Sequence, residues 1–172
     1  MVNKKFVLGM LGMVLAFGMM VVGCDNGTTS GESDTWSNVI SFSQVNGTWK
    51  APSSTSFTTQ DITVTGNYNN YTITFNATAK TMSVSGSATQ TYSGGNIILY
   101  WSDIKESMSE LGDLDGVMVS TNDVNHSITI TYNNFSQTLT DEELTEVGLQ
   151  INQNESKLKM SQGGIEIIYT KQ

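Results

Sequence analysis

One cysteine and one histidine make up the chain's whole stock of its most reactive side chains. His126 stands in Asn122-Asp123-Val124-Asn125-His126, a polar, turn-like run just before an alternating segment. An imidazole served by a Ser and an Asp is what a general base requires. No Gly-x-Ser-x-Gly turn is present to hold a nucleophile. His126 therefore reads as a loop residue, no catalytic residue is assigned, and the chain is not expected to be an enzyme. A single Cys makes neither an internal disulfide nor a thiolate cage, and a single His makes no multi-histidine metal site.

The acidic run Glu106, Glu110, Asp113 and Asp115 is the remaining candidate for a cation. Asp113-Leu114-Asp115-Gly116 resembles part of an EF-hand loop. Setting Gly116 on that loop's invariant glycine puts Leu111 at the first ligand position and Asn122 where a bidentate Glu belongs. The run reads as a solvated acidic face, no metal is assigned and no cofactor is implied. The aromatics say more. Ile97-Ile98-Leu99 leads into Tyr100 and Trp101, apolar on both faces. A strand of that kind is covered on both sides or lines a pocket. Ile97, Leu99, Tyr100 and Trp101, with Trp49, are the expected pocket for a small apolar or amphipathic ligand; the alternative is plain core packing.

Elements must position these residues, and the first segment is an address rather than an element. Lys4 and Lys5 precede an uncharged apolar run from Phe6 to Val22. That matches the basic and apolar regions of a secretory signal, and it is short for a membrane span. The run ends Val21-Val22-Gly23-Cys24, which resembles the lipobox of bacterial lipoproteins. The resemblance implies cleavage between Gly23 and Cys24 and acylation of Cys24. The product is a protein held to a membrane of the bacterial cell envelope by its N-terminal lipid, on the periplasmic side or at the cell surface. Two or three acyl chains hold stably, at ~0.8 kcal/mol per buried methylene.

Removing residues 1–23 takes away Lys4 and Lys5 but no acid, so the net charge moves from −8 to −10. With no Arg and a pI near 4.4, a nucleic-acid partner is disfavoured. Residues 24–35 are the lipidated Cys and a tether without large apolar side chains. Its eleven residues after Cys24 reach at most ~36–40 Å.

Residues 36–172 read as one all-β domain. Tyr71, Ile73 and Phe75 alternate with Thr72, Thr74 and Asn76, and Ile128, Ile130 and Tyr132 repeat the pattern. Ile62/Val64, Met82/Val84, Leu149/Ile151, Leu158/Met160 and Ile165/Ile167/Tyr169 add further strands. One packed face and one wet face signal an antiparallel sheet. Turns are expected at residues 66–70, 79–80, 94–95, 122–125, 152–155 and 163–164. The count is eight to ten strands in a meander that closes as a barrel or folds as a β-sandwich. Two short helices interrupt it. One is expected over residues 102–111, with Ile104, Met108 and Leu111 on its packed face. The other starts at the capping box Thr140-Asp141-Glu142-Glu143 and docks Leu144 and Val147.

Asn46-Gly47-Thr48-Trp49-Lys50 resembles the Gly-x-Trp start of the first strand in lipocalins and lipocalin-like lipoproteins. The resemblance implies that Trp49 closes one end of a barrel under a basic residue near the last strand, here Lys171. It also implies a binding module. The first expectation is a lipid-anchored, non-enzymatic binder of a small apolar or amphipathic ligand. The second is an envelope or surface interaction protein that binds another macromolecule through its sheet face or loops.

Overall fold

The computed structural model describes residues 35–172, except Gln60, Gly163 and Gly164. The signal, lipobox and tether up to residue 34 lie outside the described residues, as does the expected turn at 163–164. Ten strands are described: β1 Trp36–Asn38, β2 Gly47–Lys50, β3 Ser54–Thr59, β4 Ile62–Asn76, β5 Thr81–Ser93, β6 Val117–Asn122, β7 Ser127–Thr138, β8 Leu149–Asn152, β9 Lys157–Gln162 and β10 Ile165–Lys171. Helices α1 Phe42–Val45, α2 Ile97–Ser109 and α3 Asp141–Glu146 lie between them, and a 3-10 turn, Glu110–Asp113, extends α2. Among the described residues, no helix is long and apolar enough to cross a membrane.

All ladders are antiparallel and all strands join one sheet, ordered β1-β8-β9-β10-β2-β4-β5-β7-β6, with β3 also on β4. This is the all-β, antiparallel architecture that the alternation predicts. The path does not return on itself, so the sheet is open rather than a lipocalin-like closed ring. Its inward side chains form one core. Trp49, Ile73, Leu158 and Tyr169 there expose none of their surface, and Tyr71, Phe75, Met82 and Ile130 almost none.

The expected turn at residues 66–70 is not a turn. β4 runs through it, and the same residues make a bulge. The β4–β5 register shifts between Asn69 and Thr72, and the β5–β7 register shifts between Val84 and Gly86. The extra residues include Asn70 at φ 51° and Asn134 at φ 59°. Asn tolerates this left-handed state, which is also why it signals turns. Each bulge changes which residues face inward. In β4 the buried set passes from Val64 to Tyr71, Ile73 and Phe75; in β7 it passes from Ile128, Ile130 and Tyr132 to Phe135.

Tyr68-Asn69-Asn70-Tyr71 and Tyr132-Asn133-Asn134-Phe135 thus each set two rings on the core side of a bulge. Successive ring centroids lie 5.9 Å apart for Tyr68–Tyr71, 5.7 Å for Tyr71–Tyr132 and 6.0 Å for Tyr132–Phe135, all edge to face. Gly86 passes between the bulges at φ +97°, where a Cβ would strike the carbonyl of Asn70. At the margin, Pro52 separates β2 from β3, which pair with the same edge of β4 one residue out of register. A crease therefore crosses the sheet through Pro52, Asn70, Gly86 and Asn134.

Residues 97–101, expected as a strand, begin α2. The apolar positions explain the correction. Ile97, Trp101, Ile104, Met108 and Leu111 fall at helical spacing and are buried, while Ile98 and Leu99 point outward, 78% and 73% exposed. The helix therefore starts ahead of Ser102. α3 forms as its capping box predicts. The Thr140 hydroxyl accepts from Glu143 N–H at 3.1 Å, and the Glu143 carboxylate accepts from Thr140 N–H at 2.8 Å. Leu144 is buried, Val147 packs on the core and Gly148 at φ +73° ends the element.

Candidate functional site

The five expected pocket residues divide: Trp49, Ile97 and Trp101 are buried in the core, and Leu99 and Tyr100 face outward. Trp49 is wholly buried on β2, and its indole N–H donates to the Val45 carbonyl at 2.7 Å. Lys171 Nζ lies 5.2 Å from its ring centroid. The Lys171 side chain thus covers the face of a core indole. Ile97 and Trp101 enter the core from α2, while Leu99 and Tyr100 face outward from the same helix. Phe42, on α1, is also buried and meets Phe75 edge-on at 6.2 Å.

His126 sits at φ 48° in the β6–β7 turn, half-buried. Its ring meets Trp101 at 5.2 Å, near perpendicular, and its carbonyl accepts from Tyr92 N–H at 2.9 Å. The nearby Asp123 carboxylate is engaged elsewhere. One oxygen accepts from the Trp101 indole at 2.7 Å and from Lys105 Nζ at 2.8 Å. Hydrogen bonding from Lys105, then from Trp101, holds Asp123 below the usual carboxylate range. These groups fasten α2 to the β6–β7 turn, and no Ser–His–Asp relay is formed by them.

A matching fastening lies at the other end of β5. Asp141 takes Lys80 Nζ on both carboxylate oxygens at 2.9 Å, and Phe42 N–H at 3.1 Å. Lys80, then Phe42 N–H, lowers its pKa. Of the acidic run, Glu106, Asp113 and Asp115 are exposed on α2 and the turn after it. Among the described residues, no three His, Cys, Asp or Glu side chains gather as metal ligands.

What stands out is the outer face of β3 to β7. These five strands contain no Asp, Glu, Lys, Arg or His. Their outward residues are almost all Ser, Thr or Asn. Ladder register aligns them in rows across the strands, such as Ser56, Thr65, Thr91 and Ser127, or Ser54, Asn67, Thr89, Thr129 and Ser120. Rows recur every second residue, ~6.8 Å along the strands, and strands lie ~4.8 Å apart. Neighbouring hydroxyls bond across strands: Thr48–Thr74, Thr72–Ser85 and Thr89–Thr129 at 2.9 Å, and Ser83–Ser136 at 3.0 Å. Where the crease crosses this face it leaves a concavity of about 230 Å³, lined by Thr74, Ser83, Val84, Ser85, Asn134, Phe135 and Ser136. One sequence signal points to this face: between Lys50 and Asp103 the only charged residues are Asp61 and Lys80, both in turns.

No protein-family model, no curated protein and no solved structure matches this chain.

Proposed function

We propose that the protein is a lipid-anchored interaction protein of the bacterial envelope. It is held by acylated Cys24 and presents the outer face of β3 to β7 to a macromolecular partner. The observation that carries this reading is the uncharged, hydroxyl-lined face itself, on a chain whose formal charge is −8. Solvated outer faces usually carry charge, because charged side chains keep sheets soluble and unpaired. An interior carrier of a small apolar ligand has less support. Trp49, Phe42, Tyr71, Ile73, Tyr169 and Leu158 fill the core with the protein's own side chains. Anchoring rests on Val21-Val22-Gly23-Cys24.

Two measurements test the reading in the cells that make the protein. An alkyne-bearing palmitate is expected to label the wild type but not Cys24→Ser. A photo-crosslinking residue at Ser85 is expected to give a high-mass adduct, and one at Glu155, in the β8–β9 turn, is not. An unlabelled wild type removes the anchor. Equal yields at Ser85 and Glu155 remove the face.

A further inference from the structure

We propose that the face of β3 to β7 binds an uncharged polysaccharide, with one sugar unit seated in the concavity formed by Thr74, Ser83, Ser85, Asn134 and Ser136. This inference rests on the interaction reading above and names the partner's chemistry.

Charge removes most other partners. A polyanion would approach a chain of net −8 against its field, and these strands hold no cation to receive it. A polycation would be drawn to the acids, which lie elsewhere: Asp103 and Glu106 on α2, and Glu142 and Glu146 on α3. An apolar surface finds little to bury, because Met118, on edge strand β6, is the exposed large apolar residue of these strands. A folded protein partner is disfavoured for a different reason. Protein interfaces concentrate their energy in Trp, Tyr and Arg anchors. The tyrosines of these strands, Tyr68, Tyr71, Tyr92 and Tyr132, turn toward the core or pack against it.

What the face does offer is chemistry that a neutral sugar shares. Ser and Thr hydroxyls and Asn amides both donate and accept, as sugar hydroxyls do. Thr adds a methyl beside each hydroxyl, which suits the C–H side of a sugar ring. No charge has to be stripped of water when the two surfaces meet, so the largest desolvation penalty is absent. The hydroxyls are also held in place beforehand: the Thr72–Ser85 and Ser83–Ser136 bonds fix three of those that line the concavity, Ser83, Ser85 and Ser136. Less ordering entropy is then lost on binding. The rows continue on both sides of the crease, so a chain seated there meets the same chemistry at its neighbouring units.

The test is affinity electrophoresis of the full-length protein in a polyoxyethylene detergent. The gels contain dextran, mannan, galactan or, as a charged control, polygalacturonate. Each mobility is referred to a gel without polysaccharide. Retardation by at least one neutral polymer and none by polygalacturonate is expected. Ser85→Glu and Ser136→Glu are expected to weaken that retardation tenfold or more, and Ser161→Glu, on β9, to leave it unchanged. A thermal melt verifies that each variant is folded; should Ser136→Glu fail to fold, Ser85→Glu decides alone. No retardation by any neutral polymer overturns the inference, and so does equal retardation of Ser85→Glu. A protease-sensitive Ser85 photo-adduct together with no retardation leaves the interaction reading standing and removes the polysaccharide. Neither adduct nor retardation removes both.

Discussion

The two halves of the sheet solve opposite problems with the same core. β3 to β7 carry no charge. β2, β9 and β10 carry Lys50, Lys157, Lys159 and Lys171, four of the six lysines that follow the signal. Two of the lysines there, Lys159 and Lys171, act as fasteners. Lys171 lies over Trp49, and Lys159 lies 4.8 Å from the Trp36 ring centroid while pairing with Glu166 at 3.3 Å. Long aliphatic stems cover aromatic faces, and the ammonium stays near water. Within the strands of the other half, short hydroxyl side chains pair with one another, and the lysines that cover rings there, Lys80 over Phe42 and Lys105 over Trp101, stand in a turn and on α2 rather than on the strands. One half spends its polar side chains on holding rings in place; the other keeps them short, level and available.

The comparison fails if the halves are separate folding units, and alkaline pH gives the largest effect by which to check. Burial pushes the phenols of Tyr71, Tyr92, Tyr132 and Tyr169 upward from their ordinary value of 10. A raised folded-state pKa contributes stability that is present below pH ~10 and lost as pH rises above it. Tyr169 lies in the lysine half and the others in the uncharged half. Tyrosinate absorbance and backbone circular dichroism are therefore expected to change together above pH ~10, in one transition. Two separated transitions would break the comparison at its root.

Trp49→Ala comes next. Removing a fully buried indole from the lysine half costs ~3–5 kcal/mol, read as a lower midpoint in urea with one transition for the whole sheet. Gly86→Ala strikes the other half. A residue forced to φ +97° with its Cβ against the Asn70 carbonyl costs upward of ~1–2 kcal/mol. Its melting point is expected to fall by less than that of Trp49→Ala; an unchanged melt would mean the crease relaxes freely. The smallest effects sharpen the contrast most. Lys171→Met is expected to lose about 0.5–1 kcal/mol. Thr89→Val, at a hydroxyl pair of the uncharged face, should stay within ~0.5 kcal/mol. If Thr89→Val costs more than Lys171→Met, the hydroxyl face is structural and the roles of the halves are reversed.

Much of this arrangement is legible in the sequence wherever one local rule decides. Period-2 alternation finds core residues in each of β4, β5, β7, β8 and β9, though not Ala88, Tyr92 or Phe135, and Thr140-Asp141-Glu142-Glu143 finds α3 with its cap. The misreadings occur where two structures share a local signal. Asn69-Asn70 has the chemistry of a turn and of a bulge alike, and only pairing with β5, some seventeen residues away along the chain, decides between them. The run at residues 97–101 is apolar on every side, so its period shows only when it is joined to Ile104, Met108 and Leu111. The expected pocket inherited that error, which is why its members part company. The uncharged face was open to view as the long interval between Lys50 and Asp103, but an absence of charge has no motif to mark it.

The crease has a consequence for solubility. Uncharged segments rich in Thr, Ser, Val and Ile stack readily into flat cross-β assemblies, and β4 and β5 have that composition over their whole lengths. Stacking needs straight strands with matching registers. The left-handed Asn70 in β4 and Asn134 in β7, and the bulges they make, break the register on both sides of β5 and change the inward set of β4 and β7 midway. A second chain laid alongside in the same register would match one side of the break and mismatch the other. The protein can therefore leave a broad face free of repelling charge and still discourage its own copies from adding to it, with shape as the gatekeeper.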